Sequence, residues 1–215
     1  MQKAIVAKNK NYQMKKIDFK PHPWHGIDLG EEAPKKVTAF IEMVPADSVK
    51  YEIDKKSGYL IIDRPQKFSN IVPALYGFLP KTYCGKRVAE YCNEKSGRNT
   101  VGDGDPLDIC VFTERNITHG DILVTARIIG GMRMIDGGEA DDKIIAVLDQ
   151  DEVYNFNDIS ECPPRLISRL KHYFLTYKQL PDAAKAECEI THVYGADEAF
   201  EVLNRSREDY KDLMD

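Results

Sequence analysis

Apolar and polar residues alternate most clearly near the first quarter of the chain, and this pattern predicts a β-hairpin. Residues 49–54 place apolar side chains on one face and Lys50 and Glu52 on the other. The run 55–58 (Lys-Lys-Ser-Gly) is a turn signal, and residues 59–64 form a second strand. A cross-strand surface pair of little energetic weight is the simplest interpretation of Lys50 and Glu52 at this point.

Further strands are predicted at 36–44, 109–112, 121–129 and 143–148, where β-branched and aromatic residues are concentrated. Glu42 alternates with Phe40 and Val44, which puts a charge on a face that is otherwise apolar. The remaining stretches of this region show no strand pattern. We interpret 65–80 as irregular, 81–102 as a polar insertion and 130–142 as a Gly-rich acidic loop.

The last third of the chain carries helical periodicity. Residues 165–180 repeat apolar side chains at helical spacing, and Pro163-Pro164 suits the start of that helix. A short strand is predicted at 187–194, and Asp197 is predicted to cap a final helix. Several short strands followed by two helices predict an α+β fold with a small closed or nearly closed barrel, in one domain spanning residues 1–215.

The first 34 residues are predicted to form a peripheral arm. His22 and His25 are three positions apart and could ligate a metal. Pro21 and Pro23 surround them, however, and favour an arm that packs through Trp24.

Composition narrows the range of functions. The net charge is −5, with 30 Lys and Arg against 35 Asp and Glu, and no basic stripe is present. This argues against a surface for nucleic acid or for an anionic membrane. No apolar run approaches 18 residues and the N-terminus lacks the apolar core of a signal peptide. Five widely spaced cysteines form no metal or disulfide pattern, so we expect buried thiols in a reducing, cytoplasmic compartment.

The most distinctive stretch is the acidic loop 103–108, which places Asp103, Asp105 and Asp108 within six residues. Gly104 and Pro106 favour a bend that would let the three carboxylates converge. Carboxylates gathered at one point repel each other unless a cation lies between them, and all-oxygen ligands suit Mg²⁺ or Mn²⁺. A solvated acidic turn explains the bare spacing equally well.

Two known acidic motifs do not fit this loop. An EF-hand needs an oxygen ligand at position five and Gly at position six, and this chain has Leu107 and Asp108 there. A phosphatase with an aspartyl nucleophile needs an apolar strand before the first Asp, and residues 95–99 are polar. The chain also lacks the P-loop pattern and any Ser, Cys or His nucleophile motif. Acidic clusters beside Lys and Arg are what a metal–phosphate complex requires, and water activated between metals is the remaining simple nucleophile.

The same loop resembles the signature of the soluble inorganic pyrophosphatases of family I. Residues 46–64 resemble the substrate-binding hairpin of that family, residues 136–143 its second metal-binding loop, and Tyr177-Lys178 its phosphate-binding pair. These blocks occur in family order between about residues 40 and 180. The resemblance implies Mg²⁺-dependent hydrolysis of inorganic diphosphate to two phosphates, on an OB-like five-stranded barrel with flanking helices.

The resemblance also implies a role for each matching residue. Asp105 would be the general base. The Mg²⁺ ions, replaceable by Mn²⁺, would be held by Asp103, Asp108, Asp136 and Asp141, with Glu52 helping to position one of them. The two phosphoryl groups would be bound by Arg64, Tyr177 and Lys178 on one side and by Lys50, Tyr76 and Lys143 on the other, and Glu42 matches an acidic residue at the rim.

The chain departs from the family pattern at two positions, where Val72 replaces a Tyr and Gly137 replaces an acid. These departures keep open a barrel that binds metal or polyphosphate without turnover. Hydrolysis of a larger phosphoanhydride such as a nucleotide is a third possibility, although no base-stacking platform is evident. The family includes hexamers and dimers, so a homo-oligomer is expected, and His172 coincides with a hexamer contact in some members.

Overall fold

The computed structural model describes residues 20–180, 182 and 188–215. Ten strands and three α-helices follow one another along this part of the chain. In order they are β1 Lys36–Met43, β2 Val49–Ile53, β3 Leu60–Pro65, β4 Leu75–Phe78, α1 Lys86–Ser96, β5 Val101–Gly102, β6 Asp108–Phe112, β7 Ile122–Asp136, β8 Glu139–Ala140, β9 Lys143–Leu148, α2 Pro164–Thr176, β10 Cys188–Gly195 and α3 Ala196–Met214.

Five of these strands close into a ring. Backbone hydrogen bonds connect β1, β4, β6, β9 and β7 in that order, and β7 pairs back onto β1. The interior is filled by aliphatic side chains such as Ile41, Leu75, Ile109 and Ile144, which are fully or almost fully buried. The ring confirms the predicted α+β fold with an OB-like five-stranded barrel.

Strand β7 is much longer than predicted and corrects the interpretation of 130–142 as a loop. It spans 15 residues and pairs with β9 and then β10, so that Gly130 and Gly131 lie inside a strand. The reason is packing, because a Cβ at Gly131 would lie 2.4 Å from the ring of Tyr194 on β10. Only Gly137 and Gly138 form a turn, with positive φ angles of 59° and 97°.

The predicted hairpin is confirmed as β2 paired with β3, in a two-stranded sheet of its own. The irregular reading of 65–80 is wrong, since it contains β4, the barrel strand that carries Tyr76. Four residues that are all buried show no alternation, so nothing in their pattern distinguishes them from a loop.

The helices differ from the predictions in three ways. The 81–102 stretch contains helix α1, and the buried residues of this helix are Val88, Ala89, Tyr91 and Cys92. Helix α2 begins at Pro164 as expected but ends four residues before the predicted limit of 180. Asp197 is not a cap: the first helical N–H, of Ala196, donates to Asp158 Oδ2 at 2.9 Å, so a carboxylate distant in sequence performs that role.

The described part of the arm packs through Trp24, which is buried with Phe40, Phe78 and Tyr210 and donates its indole N–H to Thr82 O at 2.7 Å. His25 forms a hydrogen bond with the Tyr210 hydroxyl at 2.7 Å, so this histidine takes part in the packing of the arm. All five cysteines are buried free thiols, as predicted. Residues 1–19 of the arm lie outside the described residues, and no described helix has the length and apolar content to cross a bilayer.

Replacing Asp209 with Ala tests how α1 is attached. The buried carboxylate of Asp209, on α3, accepts hydrogen bonds from the N–H groups of Gly85, Arg87 and Val88, each at 3.1 Å, and so caps α1 from another helix. We expect Asp209→Ala to lower the free energy of unfolding in urea by about 2 kcal/mol. The control is Asp212→Ala, which removes only a surface pair with Arg87 and should cost less than about 1 kcal/mol. Equal losses would contradict the capping role.

Candidate active site

Parallel strand pairing brings the two acidic segments of the chain together. Strand β5 pairs with β8 so that Gly102 lies opposite Ala140, and the next residue on each side is Asp103 and Asp141. Strand β6 pairs with β9 so that Asp108 lies opposite Lys143. The carboxylates are therefore positioned by the backbone register of two short ladders.

The acidic loop bends between these ladders. Gly104 has a φ of 74°, and Asp103 Oδ1 accepts a hydrogen bond from the Asp105 N–H at 2.9 Å, which closes a local turn. Gly102 admits the close approach of the preceding segment, since a Cβ there would lie 2.2 Å from the carbonyl oxygen of Cys84. The conformation of the acidic loop is thus fixed by its own hydrogen bond and by the segment around Cys84 that packs against it.

Every site residue predicted from the sequence lines one pocket. The carboxyl groups are those of Glu42, Glu52, Asp103, Asp105, Asp108, Asp136, Glu139 and Asp141, and the basic groups are those of Lys50, Lys55, Arg64, Lys143 and Lys178. Tyr76, Tyr173, Phe174 and Tyr177 supply much of the aromatic wall. Eight carboxyl groups against five basic groups leave an excess of three negative charges if all are ionised.

Lys143 is the central cation of the pocket. It is only 2% exposed, and its ammonium group pairs with both Asp108 Oδ2 and Asp141 Oδ1. The same Asp108 oxygen accepts the Tyr76 hydroxyl at 2.5 Å. Burial alone would lower the pKa of Lys143, but the carboxylates of Asp108 and Asp141 outweigh it and hold that pKa well above its usual range, so Lys143 is charged.

Two further groups of basic side chains face the pocket. Lys178 pairs with Asp136 Oδ2, and the Tyr177 hydroxyl donates to the same oxygen at 3.2 Å. Although burial alone would raise the pKa of Asp136, the bond from Lys178 lowers it. On the hairpin, Lys50 lies 2.6 Å from Glu52 Oε2 and 3.2 Å from Asp63 Oδ2.

Arg64 completes the hairpin group. It also pairs with Asp63, and its guanidinium lies 5.8 Å from the centre of the Tyr177 ring. Lys50, Glu52 and Arg64 therefore belong to the pocket wall rather than to a solvated face of the hairpin, which was the simplest interpretation of the alternation alone.

Glu42 is buried beneath the pocket, with 5% of its surface exposed, and its Oε1 accepts the Ile53 N–H at 2.7 Å. Burial, and next the charge of Asp108, raise its pKa to about 8. A neutral carboxyl at physiological pH explains why this acid alternates with apolar residues along β1.

The environment of Asp103 disfavours the ionised form of its carboxyl group. Burial, with the charge of Asp141 second, raises the pKa of Asp103 to about 9. Within residues 20–180, 182 and 188–215, no three Asp, Glu, His or Cys side chains are arranged to hold a metal ion, and lysine ammonium groups pair with Asp108, Asp141 and Asp136. The donors are nevertheless all oxygen atoms and too acidic to be balanced by the five basic groups, so the residues fit a hard divalent cation.

Sequence reasoning assigned no role to Lys55, which pairs with Asp105 Oδ1 and lies 3.3 Å from the Gly104 carbonyl oxygen. Lys55 belongs to the block that resembles the family's hairpin. It was missed because it lies in the turn, where the alternation of the two strands gives no information. Val72, one of the two departures, is fully buried and does not line the pocket. Gly137 lies at the tip of the β7–β8 turn, one residue from Asp136.

Comparison with known proteins gives a consistent result. The sequence profile of the family described as inorganic pyrophosphatase matches residues 39–211. The chain is 54% identical over 199 residues to an inorganic pyrophosphatase of Chlamydia trachomatis serovar D, which covers 90% of this chain and 95% of that protein. It is 39% identical over 159 residues to a soluble inorganic pyrophosphatase of Zea mays, covering 74% of this chain and 66% of the maize protein.

Solved structures agree with the sequence comparisons. An inorganic pyrophosphatase from Thermus thermophilus superposes with a TM-score of 0.74 at 27% identity, covering 88% of this chain and 99% of that one. A type I inorganic pyrophosphatase from P falciparum superposes with a TM-score of 0.75 at 27% identity, covering 89% of this chain and 63% of that one.

Replacing Lys143 with Met tests whether its ammonium group balances the two carboxylates. In metal-free buffer the loss leaves Asp108 and Asp141 facing each other, and we expect the free energy of unfolding to fall by about 3 kcal/mol. Added Mg²⁺ should raise the melting temperature of Lys143→Met more than that of the wild-type protein. Lys86→Met, which removes an exposed surface ammonium, is the control and should change neither quantity. A variant as stable as the wild-type protein without metal would contradict this balance.

Replacing Glu42 with Gln tests the buried acid. The folded protein keeps Glu42 protonated to about pH 8, whereas the unfolded chain loses that proton near 4.5. The stability from the bound proton is therefore present below pH 4.5 and is lost as pH rises to about 8. In metal-free buffer at pH 8.5, Glu42→Gln should be more stable than the wild-type protein by about 2–4 kcal/mol, with little difference at pH 4.5.

The measurement is urea unfolding across this pH range, with the exposed Glu31→Gln as control. If the difference between wild type and Glu42→Gln did not change with pH, Glu42 would not be the neutral acid described.

Proposed function

This chain belongs to the inorganic pyrophosphatase family, and we propose that the acidic pocket is where it hydrolyses inorganic diphosphate to two phosphates. The single observation that supports this location is the convergence of all thirteen predicted site residues in one pocket lined by eight carboxyl and five basic groups. A diphosphate ion carries several negative charges, so its site needs positive charge from both the protein and bound cations.

The chain's own cations are arranged to hold the two phosphoryl groups. We assign Lys50, Tyr76 and Lys143 to one group, and Arg64, Tyr177 and Lys178 to the other. Pairing with pocket carboxylates holds Lys50, Lys143 and Lys178 in place before substrate arrives, and Asp63 on the hairpin holds Arg64. Such preorganisation reduces the cost of ordering long side chains when the substrate binds.

The carboxylates are the proposed ligands of divalent cations, with Mg²⁺ as the physiological ion and Mn²⁺ as a substitute. Asp103, Asp108 and Asp141 would hold the first ion, with Asp108 shared with a second. Asp136 and Asp141 would hold an ion that accompanies the substrate, and Glu52 would help to position another. When bound, such ions neutralise phosphate charge and lower the pKa of water. Glu42 supports this set from below as a neutral acid.

Asp105 is the proposed general base. Its side chain is 44% exposed at the pocket mouth, so water can reach it, and its partner Lys55 is 48% exposed. Lys55 holds one oxygen of Asp105. The other oxygen is free of that pair and is the one that we assign to accept a proton from the attacking water.

Replacing Asp105 with Asn tests this assignment. An amide keeps the shape but cannot take a proton, so phosphate release from Mg²⁺-diphosphate should fall by about 100-fold or more. The fold should be retained, as judged by circular dichroism and melting temperature. Asp28→Asn, a carboxyl outside the pocket that pairs with Lys81, is the control and should keep wild-type activity.

An Asp105→Asn variant with an unchanged rate would refute the base. ATP under the same conditions should release far less phosphate than diphosphate does, and a similar rate would point to a broader phosphoanhydride hydrolase.

We also propose a cytoplasmic, homo-oligomeric protein. Five buried free thiols suit a reducing compartment, in which disulfides are rare. Light scattering would distinguish a dimer from a hexamer.

A further inference from the structure

A second carboxylate lies directly behind the pocket. Asp141, Asp142 and Lys143 are consecutive, and Asp141 and Lys143 face the pocket while Asp142 faces the opposite way. Asp142 is 2% exposed, and its Oδ2 accepts the Tyr194 hydroxyl at 2.8 Å and an N–H of Arg133 at 3.2 Å. The stretch 141–143, which joins β8 to the start of β9 and carries two pocket residues, is therefore anchored by its middle residue.

Asp142 is attached to Arg133 on β7, whose side chain is completely buried. Arg133 Nη1 donates to Glu198 Oε1 on α3 at 2.8 Å. The rings of Tyr91 and Tyr194 lie on the guanidinium, each with its centre 5.1 Å away. A guanidinium held by aromatic rings and two carboxylates has little freedom to move.

The helix within the 81–102 stretch completes this enclosure. Tyr91 belongs to α1, and Ala89 and Cys92 of the same helix pack against Ile135 and Ala140, which directly precede Asp136 and Asp141. Helix α1 thus lies against the residues that directly precede Asp136 and Asp141. Nothing in the assigned roles of the pocket residues uses Asp142, Arg133 or Tyr194.

We propose that Asp142 is a positioning residue, through which Arg133 and Tyr194 fix the segment carrying Asp141 and Lys143 in the geometry that binds divalent cations and substrate. The proposal rests on the proposed function for what the pocket binds. Its physical basis is that Asp141 and Asp142 connect the two-residue strand β8 to β9 and lie outside both ladders, where the Asp141 N–H donates to Met134 O at 3.0 Å. The buried, directional ion pair of Asp142 adds a second attachment for this connection.

Two phenylalanine substitutions separate this role from general packing. Tyr194→Phe removes the hydroxyl that bonds Asp142 and keeps the ring on Arg133. Tyr91→Phe removes a hydroxyl from the other ring on the same guanidinium, and that hydroxyl makes no bond to Asp142. We expect the Kd for Mg²⁺, measured by calorimetry on the protein without substrate, to rise about 10-fold in Tyr194→Phe and to stay within twofold in Tyr91→Phe.

A second pair of variants removes one carboxylate each from Arg133. Asp142→Asn should weaken Mg²⁺ binding at least as much as Tyr194→Phe. It should also speed amide hydrogen exchange across residues 139–143 in metal-free protein. Glu198→Gln removes the carboxylate on α3, which lies outside residues 139–143. This change should leave amide exchange in that segment within twofold of wild type.

Equal effects of the two members of either pair would overturn the proposal, because they would report loss of packing around Arg133 rather than positioning through Asp142. An unchanged Mg²⁺ Kd and unchanged exchange in folded Tyr194→Phe would also overturn it. The exchange measurement needs no turnover, so a wild-type protein that released no phosphate would refute the proposed function and leave this result to stand by itself.

Discussion

The parallel pairing of β6 with β9 and of β5 with β8 is the constraint on which the pocket depends. The β6–β9 ladder places Asp108 beside Lys143, and the β5–β8 ladder pairs the residues just before Asp103 and Asp141. Carboxylates that repel one another would not stay together on flexible loops, since separating them costs little there. The β6–β9 ladder belongs to the closed barrel and the β5–β8 ladder extends the same sheet, so here the carboxylates can separate only if backbone hydrogen bonds are lost. The energy of the barrel core is therefore what holds like charges at close range.

The ammonium groups of the pocket lysines balance the neighbouring carboxylates and are also suited to bind phosphate oxygens. Lys143 is nearly inaccessible to water and faces two carboxylates, so its charge is fixed by its neighbours. Lys178 pairs with Asp136, and Lys50 pairs with Glu52. Ammonium groups that balance carboxylates also provide the positive charge that phosphate oxygens require. The carboxyl groups outnumber the basic groups of the pocket by eight to five, and such a set of oxygen donors fits a hard divalent cation.

The sequence predicted the site more completely than it predicted the fold. The pocket residues were predicted because four blocks of the chain match the motifs of a known family in order. The pattern alone showed only that Glu42 is a charge on an otherwise apolar face, which is costly unless the charge has a role. Strand β4, helix α1 and the second half of β7 were missed because tertiary packing determines them. Strand β4 consists of four residues that are all buried, so it shows no alternation. The pair Gly130-Gly131 predicts a loop from sequence alone, and only the structure shows that the ring of Tyr194 packs against Gly131 within a strand. The Asp197 cap failed for a related reason, since Asp158 supplies the hydrogen bond from far along the chain.

Helix α1 illustrates how a segment can affect a site that it does not enter. It contributes no side chain to the pocket wall described above, yet it covers Arg133 and packs on the residues just before Asp136 and Asp141. A buried ion pair such as Arg133–Asp142 adds little net stability, because desolvation offsets most of the attraction. Apolar residues would fill the same space at lower cost. What the ion pair adds is direction, since hydrogen bonds to one oxygen of Asp142 fix a segment that its two-residue strand alone would hold weakly.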